Sequence, residues 1–155
     1  MNAPILSKNT LENIQGLIEI NLDSSKGFEE ASKRCDDPSL GPVFRALGTE
    51  RAAFAGELQR LVSQNGELPE TSGSLLGTAH RWWMKLRDSV DSDDTSLLSE
   101  MERGEDSIKK CYEKVIADVG TSAIATTLHS QHGQILRGHD RIRDLRDRAK
   151  ASSRS

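Results

Sequence analysis

Several polar side chains fall on helical stripes that are otherwise apolar, and four of them could bind a metal ion. They are Glu50, Glu105, His132 and His139. An advance of about 100° per residue places them near the middle of their helices, at comparable depth. Carboxylate oxygens and imidazole nitrogens suit iron, manganese or zinc. The sequence therefore offers a candidate mononuclear metal site, with the identity of the ion left open.

A complete di-iron centre needs more than these residues supply. In a four-helix bundle such a centre takes a glutamate from each of two helices and a Glu-x-x-His pair from each of the other two. Glu50 is followed three residues later by Ala53 and Glu105 by Ile108, and the chain contains no Glu-x-x-His pair. We therefore expect no complete ferroxidase site, and an enzyme is not favoured.

The same positions also suit a buried polar network that does no chemistry. Glu105 is placed to accept a hydrogen bond from His139 or from Arg51, and Asn21 to pair across the first helical hairpin. Tyr112 lies on an inward stripe, so its hydroxyl is expected to join the network. Polar groups in the middle of a bundle must find partners, and such pairs often set helix register. This interpretation is favoured over the metal site.

Other chemistries lack the spacing that they need. No serine stands in a nucleophile elbow, and Gly73 to Gly77 flanks a helix start rather than forming a phosphate loop. Cys35 and Cys111 are isolated, which favours small core thiols and a cytoplasmic location. A net charge of -3 with interleaved signs argues against nucleic acid. No apolar run approaches the roughly 20 residues of a membrane span.

The elements that would position these residues are all helical. The 155 residues suit one domain, 1–155, with an ordered core of about 10–149 and a frayed tail. Apolar residues recur at helical spacing in four long segments. These run from Asn9 or Thr10 to near Cys35, from Ser39 to Asn65-Gly66, from Asp94 or Thr95 to Gly120, and from Thr121 or Ser122 into RIRDLRDRAK.

The turns between these helices predict the topology. Short breaks make helices one and two, and helices three and four, antiparallel hairpins. The longer connection contains a short amphipathic stretch, residues 74–90, with Trp82 and Trp83. At about 1.5 Å per residue this stretch covers roughly 25 Å, enough to carry the chain along a bundle. The expected fold is therefore an all-α, ferritin-like four-helix bundle with two hairpins joined by a crossover.

Five segments of the chain, taken in order, resemble a known family. They are LIEINLDSSKGFEEA, FRALGTERAAFAGELQ, GSLLGTAHRWWMKL, MERGEDSIKKCYE and HDRIRDLRDRA. The chain is similar to bacterial ferritin-like four-helix-bundle proteins of unknown function, in the stress-associated YciE/YciF-like superfamily. The likeness extends from about Leu11 to Ala149. It implies the ferritin-like fold and a stress-associated or metal-handling role.

Three functions are weighed against these observations. The leading hypothesis is a non-enzymatic bundle that acts through self-association, as a homo-oligomer such as a dimer, or through a protein partner. Trp82 and Trp83 motivate it, because aromatic residues are enriched in interface cores. Alternatively, both side chains simply pack on the bundle. The alternative is a degenerate mid-bundle site for iron, manganese or zinc. A small-ligand sensor has no sequence feature of its own.

Overall fold

The computed structural model describes residues 5–73 and 93–153. Within these residues the chain forms four α-helices and no strand. They are α1 (Lys8–Arg34), α2 (Leu40–Gln64), α3 (Asp94–Val119) and α4 (Ala125–Ser153). None of the four combines the length and the apolarity that a membrane span requires. The architecture is all-α and consistent with a four-helix bundle, and the predicted stretch with Trp82 and Trp83 lies outside the described residues.

Two helix starts are set by capping side chains. The hydroxyl of Ser7 accepts from the backbone N–H of Thr10, so α1 begins slightly before the predicted cap. The carboxylate of Asp93 accepts from the backbone N–H of Ser96 and begins α3 in the same way. Such caps satisfy amide donors that have no partner inside the helix. The capping side chains of Ser7 and Asp93 therefore fix where α1 and α3 begin.

The ends of α3 and α4 also refine the sequence prediction. Gly120 stops α3 as expected, with a φ of 59° in the left-handed region that favours glycine. A turn in which the Ala125 N–H donates to the Ser122 carbonyl delays α4, which therefore starts later than the predicted Thr121 or Ser122. At the other end, α4 continues to Ser153, through part of the tail expected to fray.

The helices pack as two hairpins that meet through α1 and α3. Helix α1 packs on α2, α3 packs on α4, and α1 also contacts α3. The backbone N–H groups of Asp36 and Asp37 each donate to the Asp94 carboxylate at 2.8 Å, so α3 begins beside the α1–α2 turn. At the opposite end, the Leu6 N–H donates to Asn65 Oδ1 at 2.9 Å. Helices α2 and α3 therefore begin at the same end.

The apolar core is divided into two clusters along the bundle axis. One cluster includes Phe54, Ile108 and Ile135, and the other includes Leu47, Met101 and Ile142. On three helices a residue without an apolar side chain lies between the two clusters. These residues are Arg51 on α2, Glu105 on α3 and Gly138 on α4. A polar level therefore interrupts the core near its middle.

Candidate functional site

Arg51 lies at the level that divides the core, with none of its surface exposed. Its Nη2 donates to Glu105 Oε2, and its Nη1 donates to Glu50 Oε1 at 2.5 Å. Its guanidinium carbon lies 5.5 Å from the centre of the Phe54 ring and 6.0 Å from that of Phe28. The guanidinium is therefore held between two carboxylates and beside two aromatic rings. We call Glu50, Arg51 and Glu105 the charged layer.

Burial dominates the electrostatics of the charged layer. It raises the pKa of Glu105, and the attraction of Arg51 offsets only part of that rise. Glu105 Oε1 and Arg51 Nε have no hydrogen-bond partner among the described residues. Arg51 and Glu105 therefore neutralise each other's charge but leave two buried polar atoms without a hydrogen bond. Each such atom costs free energy of folding.

Gly138 closes the charged layer from the side of α4. A Cβ atom at this position would lie 2.9 Å from Arg51 Nη2 and 3.0 Å from Glu105 Oε2. Only a residue without a side chain lets α4 approach the ion pair this closely. Sequence reasoning missed Gly138, although a glycine inside a helical pattern is itself a signal of close packing.

A second buried level contains only neutral groups, and we call Asn21, Tyr112 and Gln131 the neutral layer. Asn21 Nδ2 donates to the Tyr112 hydroxyl at 2.8 Å, and that hydroxyl donates to Gln131 Oε1 at 2.6 Å. Gln131 Nε2 donates to Glu57 Oε1 at 3.2 Å, so the chain of bonds joins all four helices. Asn21, expected to pair across the first hairpin, bonds to α3 instead.

The Tyr112 hydroxyl keeps its proton in this setting. Burial raises the pKa of Tyr112, and the hydrogen bond from Asn21 offsets part of that rise. A protonated hydroxyl can accept from Asn21 and donate to Gln131 at once. Its place in the neutral layer is therefore that of a hydrogen-bonding link between helices.

His139 lies in a different place from the charged layer, on the groove between α3 and α4. Its Nε2 lies 2.9 Å from Asp106 Oδ1 and 3.7 Å from Glu102 Oε1, and its Nδ1 lies 3.2 Å from Asp140 Oδ1. One ligand-type atom from each of Glu102, Asp106 and His139 falls within 4.8 Å of the other two. Among the described residues this is the single group of its kind. We call it the His139 cluster.

The four residues predicted to bind metal are thus spread over three places. Glu50 and Glu105 share the buried guanidinium of the charged layer. His139 lies in the cluster just described. His132 lies elsewhere on α4, with its Nε2 3.2 Å from Glu113 Oε2. Sequence reasoning missed the two carboxylates beside His139, although their spacing of four residues on α3 places them on one face.

The cysteines offer no activated nucleophile. Cys35 and Cys111 are both free thiols and both half-buried. Burial is the main influence that raises the pKa of each thiol above its ordinary value. Since the thiolate is the nucleophile, the raised pKa lowers the fraction of each thiol that can react at neutral pH.

The chain matches the model of a known protein family. A family model described as a domain of unknown function (DUF2383) matches residues 9–118. A comparison with curated proteins found no match. The matched range includes the whole charged layer and two of the three residues of the His139 cluster. It ends before Gly138 and His139.

Proposed function

The chain belongs to the family described as a domain of unknown function (DUF2383), and we propose that it is a non-enzymatic, ferritin-like helical bundle. It acts through association, with a second copy of itself in the first place or with a protein partner. The stress-related setting comes from the resemblance of the sequence segments alone. The single observation that carries the non-enzymatic part of the proposal is the buried guanidinium of Arg51 between Glu50 and Glu105.

Arg51 stands where two mid-bundle carboxylates would otherwise be available to a metal ion. Two like unit charges about 4 Å apart repel by about 4 kcal/mol at an effective dielectric constant of about 20. The Arg51 guanidinium would repel a divalent ion between Glu50 and Glu105 more strongly than it repels a unit charge, and the ion would have to displace it. The residues present therefore do not fit a di-iron centre at this level.

The ferritin-like topology rests on the positions of the helix ends. Helices α2 and α3 begin at the same end, so the chain between Gln64 and Asp94 connects opposite ends of the bundle. A connection of that kind is the crossover of ferritin-like bundles. A cytoplasmic location is part of the proposal, supported by the two free thiols.

The association surface is supported by exposed apolar side chains. Ile5 is 97% exposed and Leu68 is 91% exposed. Gln15 Nε2 donates to the Leu68 carbonyl, which places Leu68 beside the first half of α1 and on the same half of the bundle as Ile5. Trp82 and Trp83, which lie outside the described residues, remain the predicted aromatic interface residues.

Sedimentation velocity over a range of protein concentrations tests the association. We expect a dimer or larger species, and a monomer for at least one of the variants Trp82→Ser, Trp83→Ser and Leu68→Ser. Circular dichroism checks that each variant keeps its helix content. The exposed Lys114→Ser variant is the matched control and should leave the mass unchanged. A wild-type monomer at every concentration would overturn self-association.

An iron oxidation assay tests the non-enzymatic part of the proposal. Fe²⁺ in air should oxidise no faster with the protein than with buffer, because Arg51 holds the two carboxylates that an iron pair would need. Saturable oxidation that disappears in the Glu50→Gln variant would contradict this.

The alternative function, a degenerate metal site built from Glu50, Glu105, His132 and His139, has weaker support. Its carboxylates already bind Arg51, and its histidines face other acidic groups: His132 faces Glu113, and His139 faces Asp106. A site of this composition needs the four side chains to rearrange around one ion.

A further inference from the structure

The groove between α3 and α4 carries a group of side chains that the charged layer does not use. Glu102 and Asp106 are four residues apart on α3, and His139 faces them from α4. The side chains of Glu102 and His139 are each 14% exposed, and that of Asp106 is 44% exposed. The group is therefore anchored on two rigid helices and reachable from solvent on the Asp106 side.

We propose that Glu102, Asp106 and His139 bind one divalent first-row transition metal ion, with Zn²⁺ as its probe. One imidazole nitrogen and two carboxylate oxygens are ligands that such ions accept, and the imidazole disfavours Mg²⁺ and Ca²⁺. The site lies outside the charged layer and is independent of the association proposed above.

The distances are compatible with this use. Zinc bonds of about 2.0–2.2 Å to nitrogen and oxygen put the ligand atoms about 3.4 Å apart in a tetrahedral site. The three ligand atoms lie within 4.8 Å of one another, and His139 Nε2 lies 2.9 Å from Asp106 Oδ1 and 3.7 Å from Glu102 Oε1. Side-chain adjustments of about 1 Å suffice to reach the tetrahedral spacing.

The surroundings supply a second and independent argument. A histidine that binds a metal through one nitrogen usually donates its other N–H to a carboxylate or carbonyl, which fixes the ring. Asp140 Oδ1 lies 3.2 Å from His139 Nδ1, on the side of the ring away from the cluster. Arg146 donates to Glu102 Oε2 and leaves Oε1 directed at His139. Asp140 therefore orients His139, and Arg146 orients Glu102, for binding an ion.

The local charge also favours a cation. Three carboxylates surround the His139 ring: those of Glu102, Asp106 and Asp140. Arg146 pairs with Glu102 and Arg143 pairs with Asp140, whereas among the described residues the ion-pair partner of Asp106 is His139. A bound ion would neutralise the carboxylate of Asp106, which has no arginine partner among these pairs, and would tie α3 to α4.

Titration calorimetry with Zn²⁺ tests the site on protein first treated with a chelator and then dialysed. We expect one ion per chain, and affinity that falls by roughly tenfold or more in His139→Ala and in Asp106→Asn. Zn²⁺ should also raise the melting temperature of the wild type but not that of His139→Ala. Mg²⁺ and Ca²⁺ should give no comparable binding. Circular dichroism confirms that the variants are folded.

His132→Ala is the matched control. Like His139, His132 is on α4 and lies close to a carboxylate of α3, but its partner is the single carboxylate of Glu113, at 3.2 Å. This variant should bind Zn²⁺ as the wild type does. No Zn²⁺ binding, equal binding of Mg²⁺, or Zn²⁺ binding that survives His139→Ala would each overturn the proposal.

Discussion

The charged and neutral layers are both buried in the same bundle, yet their polar groups are paired in different ways. Glu105 and Tyr112 lie seven residues apart on α3, about 10 Å along the helix. In the charged layer one guanidinium is shared by two carboxylates. In the neutral layer a run of hydrogen bonds of 2.6 to 2.8 Å passes from Asn21 through Tyr112 to Gln131.

The difference indicates which layer loses more stability when one partner is removed. A buried ion pair contributes little net stability, because desolvation of both charges opposes their attraction. Removing one member, however, leaves the other charged and unpaired. Removing a hydroxyl from a neutral chain leaves only unmet hydrogen bonds, which cost less. The charged layer is therefore the more sensitive of the two, and we expect it to set which helix faces meet.

The largest effect is expected from breaking the charged layer on one side. Arg51→Met should lower the free energy of unfolding by about 3–5 kcal/mol, because the buried Glu105 loses its partner. The double variant Arg51→Met with Glu105→Leu should recover much of this loss, because neither charge remains. Urea unfolding of the two single variants and the double variant gives the coupling energy. Additive losses would show that the two side chains do not act as a pair.

A smaller effect is expected from the neutral layer. Tyr112→Phe should cost about 2 kcal/mol, because Asn21 loses one acceptor and Gln131 loses its donor. Asn21 keeps its second bond, to the Leu17 carbonyl, which limits the loss. Urea unfolding measures it, with Tyr112→Leu as a variant that also removes the ring. A loss as large as that of Arg51→Met would remove the distinction between the layers.

The smallest effect, but one with a change of sign, is expected at the glycines of α4. Gly138→Ala should destabilise by about 1 kcal/mol, since the contacts with the charged layer outweigh the gain in helix propensity. Gly133→Ala is the matched control. Among the described residues its Cβ would meet Arg137 Nη1 alone, at 3.8 Å, which is an ordinary contact, so it should stabilise by about 1 kcal/mol. Thermal unfolding distinguishes them, and stabilisation by both variants would mean that Gly138 is not held against Arg51.

Helical periodicity predicts much of this fold. Four long apolar stripes and the stop signals Asn65-Gly66 and Gly120 locate the four helices to within a few residues. The stretch around Trp82 and Trp83 lies outside the described residues, so its prediction as a crossover stays a prediction.

The candidate sites were less predictable, because they depend on how helices are rotated against each other. In the sequence pattern Arg51 lies beside the apolar stripe of α2, and its full burial depends on Glu105, 54 residues away. Sequence reasoning left two donors open for Glu105, and the structure has Arg51 in that role. The carboxylates beside His139 belong to another helix, and a period of 3.6 residues in one helix says nothing about its neighbour.

The ratio of metal to chain in wild type and in Glu50→Gln tests the central claim most directly. Protein equilibrated with Fe²⁺ under anaerobic conditions, and separately with Mn²⁺ or Zn²⁺, is dialysed and measured by elemental analysis. Because Arg51 fills the place between Glu50 and Glu105, we expect at most one ion per chain and the same ratio in both proteins. Two ions per chain in the wild type, with a lower ratio in Glu50→Gln, would contradict the account.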